Sequence, residues 1–148
     1  MYVRCIANDV AKLDNELVKM RLADSIRREG QDEDLLLGAT YKVVAIERWG
    51  DGGIRVYLHT VEENDYPYPY PIEMFDVIEP TIPMGWCVSL EQYDCGMYIK
   101  RIGFPEWAND GSFYERLVDG DEEAVAVYKN YQHRNVSGHP SPPNLTRS

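Results

Sequence analysis

The side chains that could carry catalysis or bind a metal are scattered along this chain. The three histidines, His59, His133 and His139, fall in a predicted strand, near a predicted helix end and in the C-terminal segment. They share no metal-ligand spacing. Cys5 and Cys87 fall inside predicted strands, where a thiol is more often buried than nucleophilic. We therefore predict no catalytic, metal or cofactor site from histidine or cysteine.

Carboxylates are numerous, but their spacing matches no ligand motif. The run 119–123 lacks the alternating ligands and distal glutamate of a calcium loop, and capping of a helix that begins at Glu122 explains it better. The run 32–34 is either a solvated loop or the acidic wall of a binding surface. The sequence has no phosphate-binding glycine loop, nucleophile elbow or zinc-protease pair. An enzyme would need a site assembled from scattered residues such as His59, Glu73, Asp94 and Glu106.

The charge balance bears on the class of partner. The 148 residues include 15 basic and 25 acidic side chains, a formal net charge of −10. The favoured interpretation is that this charge keeps a small domain soluble, and the alternative is that it steers the chain towards a basic partner. It repels a nucleic-acid backbone overall. Nucleic-acid binding would require a basic stripe on one face, built from Arg21, Arg27, Arg28, Arg48 and Arg55.

The first half of the chain predicts mostly strands. Residues 2–7 alternate, with Val3, Cys5 and Ala7 on one face. Residues 10–29 change to a helical period, with an apolar band that includes Leu13, Leu17 and Met20. A further strand near residues 40–46 leads through the turn at 50–53 into a return strand at 54–61. A tight turn at 72–75 precedes a short last strand, Phe75 to Ile78.

The run from Asp65 to Ile78 is rich in tyrosine and proline, and we expect it to close the first half of the chain. Because proline donates no backbone hydrogen bond, this run favours an edge strand or a polyproline-like segment. Its rings, with neighbouring aromatic and acidic side chains, predict a partner-binding surface. That surface comprises Trp49, Glu62, Glu63, Asp65, Tyr66, Tyr68 and Tyr70. The alternative, slightly favoured for the rings, is that they pack under the second half of the chain.

Residues 1–79 resemble a Src-homology-three-like small β-barrel of the bacterial and phage type. The resemblance rests on the opening strand at 3–6, the segment Leu37 to Val43, the hairpin, and the closing segment Tyr70 to Ile78. It implies a five-stranded barrel. The helical insertion at about 10–29 occupies the first loop, which forms one wall of the ligand groove in peptide-binding relatives.

The second half predicts a hairpin and helices packed on the barrel. Strands at 86–90 and 97–102 flank a turn at 94–96, and helices follow at 113–118 and from Glu122 to about His133. We expect residues 135–148 to form an extended or mobile tail. The fold class is therefore α+β, with lobes at 1–79 and 80–134.

Cellular location and function follow from what the sequence lacks. No apolar stretch approaches the roughly 20 residues that cross a bilayer, and the N-terminus shows no secretory pattern. Three cysteines at these spacings suggest no disulfide framework. We expect a cytoplasmic, non-enzymatic protein that binds another protein, for instance an immunity or inhibitor protein that covers a basic partner.

Overall fold

The computed structural model describes residues 1–8, 13, 15–17, 19–20, 35–50 and 52–138, with side chains to residue 134. It is a mixed α+β structure with one seven-stranded antiparallel sheet. One 3₁₀ helix and three α-helices are described over their whole length, and residues 16–17 and 19–20 are also helical.

The strands and helices have the following bounds. The strands are β1 (Tyr2–Cys5), β2 (Thr40–Arg48), β3 (Ile54–Leu58), β4 (Tyr68–Pro71), β5 (Phe75–Glu79), β6 (Cys87–Tyr93) and β7 (Gly96–Gly103). The 3₁₀ helix spans Ile72–Met74, and the α-helices are α1 (Pro105–Ala108), α2 (Phe113–Val118) and α3 (Glu122–Gly138).

The long strand β2 organises the sheet. The first five strands lie in the order β4-β3-β2-β1-β5, and all their pairings are antiparallel. Strand β2 pairs with β1 through residues 40–42 and with β7 through residues 46–47, and β7 in turn pairs with β6. Among the described residues no ladder joins β4 to β5, so the sheet is open.

The sheet carries a core on each of its faces. Val56 and Leu58 of β3 belong to one buried cluster, with Val3, Cys5 and other residues of the first half. Tyr57, between them, belongs to a second cluster formed with α1, α2 and α3. Since successive strand residues point to opposite faces, the helices cover the face of β3 that the first core leaves free.

Most predicted elements of the first half are confirmed. Val3, Cys5 and Ala7 are buried as the alternation of β1 predicts. The β2–β3 hairpin forms, and Gly52 adopts a φ of 82° in its turn. The helix predicted over 10–29 lies largely outside the described residues. Of its apolar band, Leu13 is buried, but Leu17 and Met20 are exposed, which is contrary to the prediction.

The second half also follows its pattern, with one correction. The hairpin and helices α2 and α3 form where predicted, and the Asp121 carboxylate accepts a hydrogen bond from the backbone of Ala124 as an N-cap. Helix α3 continues to Gly138, so residues 135–138 are helical and do not begin the predicted tail. The rest of that tail lies outside the described residues. No helix in the described part of the chain has the length and apolar character required to span a membrane.

Candidate protein-binding surface

The Tyr-Pro segment is an edge strand whose middle is buried. Tyr70 is fully buried, and its hydroxyl lies 2.7 Å from the Thr60 hydroxyl. The Tyr114 hydroxyl of α2 donates to the Pro67 carbonyl oxygen at 2.8 Å. The segment therefore lies between the two cores. Tyr70, predicted as a partner contact, is not accessible to a partner in this fold.

The other predicted aromatic contacts are partly buried. Tyr66 packs against the second core and Tyr68 against the first. The side-chain amide of Asn64 donates to the Tyr68 hydroxyl at 2.6 Å. The Trp49 ring lies 4.5 Å from the guanidinium carbon of Arg55, in a cation–π contact. These rings therefore have structural neighbours and offer a partner only part of their surface.

The predicted acidic contacts are exposed. Glu62 and Glu63 lie in the β3–β4 connection with exposed side chains. Asp65 is also exposed and forms an ion pair with Lys129 of α3 at 3.5 Å. A pair so open to water contributes little to stability. These carboxylates are available to a partner, whereas the tyrosines beside them are largely committed to packing.

A row of accessible apolar side chains lies elsewhere, on the β6–β7 hairpin. Val88 and Leu90 alternate along β6, so they share a face. Leu90 pairs directly with Ile99, and Gln92 pairs with Met97, which places both β7 residues on that same face. Val88, Leu90, Met97 and Ile99 each leave 50–60% of their area exposed. We call these four residues the apolar stripe.

The hairpin that carries the stripe is held against the end of β2. The Arg48 guanidinium carbon lies 4.6 Å and 5.1 Å from the ring centroids of Tyr98 and Tyr93. Lys100 donates to the Arg48 carbonyl oxygen at 2.6 Å and lies 3.8 Å from the Glu47 carboxylate. The stripe is therefore a preformed surface.

Tyr93 at the hairpin tip remains protonated at neutral pH. Its hydroxyl donates to the Glu91 carboxylate at 3.0 Å. Partial desolvation, followed by this hydrogen bond, raises the pKa of the Tyr93 phenol above its usual value. The neutral phenol thus keeps its donor role across the physiological range, and the tip carries no added negative charge from tyrosine.

The residues proposed for an enzyme site lie on separate elements. Asp94 is exposed at the hairpin tip, Glu106 is exposed in α1, and Glu73 belongs to the 3₁₀ helix. His59 stacks on Tyr128, whose hydroxyl lies 2.9 Å from its Nδ1 atom. The second-half helices α1 to α3 line a cavity of about 230 Å³ that includes Glu106 but none of the other three. No described group of three histidine, cysteine or acidic residues could hold a metal.

Arg116, which lines that cavity, pairs with neighbouring carboxylates. Arg116 forms ion pairs with Asp121 at 2.7 Å and Asp110 at 2.9 Å. The hydrogen bond from Arg116 lowers the pKa of Asp121, and hydrogen bonds from Ser112, then Arg116, lower that of Asp110. Both carboxylates are therefore ionised at neutral pH. The Asp121 pair joins α2 to the start of α3, and the Asp110 pair joins α2 to the residues that precede it. This arrangement is structural and does not poise a general base.

Two of the five arginines proposed for nucleic-acid binding lie in the described part of the chain. Both already contact aromatic rings of this chain. Arg48 contacts Tyr93 and Tyr98, and Arg55 is buried beside Trp49. Arg21, Arg27 and Arg28 lie outside the described residues. Neither Arg48 nor Arg55 is thus placed to follow a phosphate backbone.

The sequence predicted the hairpin but missed its exposed stripe. The available signal was the apolar residue at every second position, Val88 and Leu90, opposite Met97 and Ile99. Alternation identifies a face and does not show whether another element covers it.

In comparisons with known proteins, no family model, curated protein or solved structure matches the chain.

Proposed function

We propose that this chain is a non-enzymatic protein-binding protein and that the apolar stripe of the β6–β7 hairpin is its contact surface for a basic protein partner. The observation that carries the proposal is the exposure of four apolar side chains on one face of a clamped hairpin. Contiguous apolar surface of this kind marks interaction sites in folded proteins. Its burial would release about 25 cal/mol for each Å² removed from water.

Charge supports the choice of a basic partner. The net charge of −10 gives the whole molecule a negative field, and Glu62, Glu63 and Asp65 contribute exposed carboxylates. Such a field raises the rate of encounter with a basic protein, while the apolar stripe supplies the lasting contact. An immunity or inhibitor protein that covers a basic surface is the functional class that combines these properties.

We also infer that β1 to β5 form the Src-homology-three-like arrangement. The strand order β5-β1-β2-β3-β4 and the 3₁₀ helix between β4 and β5 support this inference. The free thiols of Cys5, Cys87 and Cys95 support a reducing compartment such as the cytoplasm. Neither inference is needed for the stripe to bind a partner.

The test is affinity capture from a lysate of the source cells, with the bound proteins identified by mass spectrometry. Ile99→Lys and Met97→Lys each place a charge in the stripe without altering the edge strand β6. We expect either variant to lose the captured partner, because a lysine would have to be desolvated in the contact. Val118→Lys is the matched control, since Val118 is an exposed apolar residue on α2.

Salt and the acidic loop give a second readout. Glu63→Lys should weaken capture of a basic partner at low salt and have little effect at high salt, where surface charges are screened. The proposal is wrong if the stripe variants capture the same proteins as the wild type. It is also wrong if Val118→Lys loses the partner to the same extent, because the effect would then not depend on the hairpin.

A further inference from the structure

Among the described strands the sheet has three edges, and two of them carry features that block pairing with another chain. Strand β4 contains Pro69 and Pro71, which have no backbone N–H to donate. Strand β5 carries Asp76 and Glu79, and Pro80 follows it. Proline and charge are the usual means by which natural sheets keep their edges from adding strands. These two edges are therefore protected.

The third edge, β6, lacks this protection. Its seven residues include no proline and no lysine, and Glu91 is their single charged residue. Within the described part of the chain, β6 pairs with β7 alone. The register shift in this hairpin leaves Lys100 of β7 without a direct partner, so the extra residue is on β7 and β6 is continuous. The outer edge of β6 is thus open to a further strand.

The residues of β6 are complementary to a second copy of themselves. Antiparallel pairing about a two-fold axis at Leu90, the middle residue, places Leu90 opposite Leu90 and Val88 opposite Gln92. Ser89 then lies opposite Glu91, so each carboxylate faces a neutral side chain. No pair of like charges meets in this register. A shift of the axis to Glu91 would instead oppose two carboxylates.

We propose that two copies of this chain associate through their β6 strands, which extends the sheet across the two-fold axis. Two copies of this acidic chain repel each other overall, but the hairpin through which they would pair carries no net charge. Residues 86–103 contain Glu91 and Asp94 against Lys100 and Arg101, so the hairpin is neutral although the chain carries −10.

The dimer would double the apolar surface that is offered to a partner. This point rests on the proposed function. The two stripes become one apolar surface of eight side chains on a four-stranded sheet, β7-β6-β6-β7. The combined surface is twice that of one stripe and is therefore closer to the standard size of protein contacts. The second copy thereby contributes half of the binding site.

The experiment measures self-association of the full chain by sedimentation velocity, in reducing buffer because Cys95 is exposed. We expect the wild type to reach twice the 17.1 kDa mass of one chain. Leu90→Lys and Leu90→Glu each oppose like charges at the axis and should weaken the dimer by about tenfold or more. An equimolar mixture of the two variants should restore a dimer, which shows that both fold. Val77→Lys, on the protected edge β5, should leave the dimer intact.

Salt separates this inference from the proposed function. Raising salt from about 0.01 M to about 1 M shortens the Debye length from about 30 Å to about 3 Å, so the acidic copies repel less and the dimer should tighten. Binding of a basic partner should weaken over the same range.

A chain that stays monomeric across this range, or a Leu90→Lys variant that dimerises as the wild type does, overturns the inference. Failure of the mixture to associate also overturns it. If the chain is monomeric but Ile99→Lys still loses the captured partner, the dimer is refuted and the proposed function is retained.

Discussion

Replacement of Trp107 by alanine should cost about 4 kcal/mol of unfolding free energy. The Trp107 side chain is almost completely buried, and its ring lies 4.9 Å from that of Tyr57, the β3 residue that faces the helices. The rings of Phe113 and Tyr114 of α2 lie 5.6 Å and 5.5 Å away. Truncation of a buried tryptophan typically costs about 3–5 kcal/mol, of which the lost edge-to-face pair with Tyr57 contributes about 1 kcal/mol.

For a chain of this length that loss corresponds to a fall of about 12–16 °C in Tm. Urea unfolding followed by far-UV circular dichroism measures it without dependence on tryptophan fluorescence. Because β2 and β3 contribute to both cores, we expect one transition, with both halves unfolding together. Val118→Ala, at an exposed position on α2, is the control and should change stability by less than about 0.5 kcal/mol. A loss below about 1 kcal/mol for Trp107→Ala, or a separate early transition, would refute the packing of the helices on the sheet.

Three further substitutions test particular contacts. Tyr114→Phe removes the hydrogen bond to the Pro67 carbonyl and should cost about 1 kcal/mol in urea unfolding; no loss would show that α2 does not hold the Tyr-Pro segment. Arg116→Gln should reduce stability at neutral pH and flatten its acid dependence. The lowered pKa of Asp121 contributes stability that is present above the usual carboxyl range and lost as pH falls through the lowered value; an unchanged pH profile contradicts this. Gly38→Ala, at a φ of 82°, should cost about 1 kcal/mol, and a stabilised variant would contradict the turn geometry.

Local patterns in the sequence predicted the elements of the fold well. The alternation of Val3, Cys5 and Ala7 identified the buried face of β1, because strand periodicity acts within a few residues. The turn around Gly52 likewise defined the β2–β3 hairpin from its own chemistry. These features need no knowledge of the rest of the chain.

Long-range packing decided what the sequence could not predict. Whether the rings of the Tyr-Pro segment are exposed depends on Tyr114, which contacts Pro67 from 47 residues further along the chain. In the same way, Val88 and Leu90 define a face of β6, and only the folded chain shows that this face is exposed. Alternation alone is equally compatible with a covered face.

The most direct test of the binding surface places a photo-crosslinking group in the stripe. A benzophenone-bearing phenylalanine replaces Ile99 in the full chain, and the source cells are irradiated before the adducts are identified by mass spectrometry. The same group at Val118 is the matched control. We predict a covalent adduct with a basic protein at position 99 and none at position 118. The absence of any protein adduct at position 99, or the same adducts at both positions, would contradict the assignment of the stripe as the contact surface.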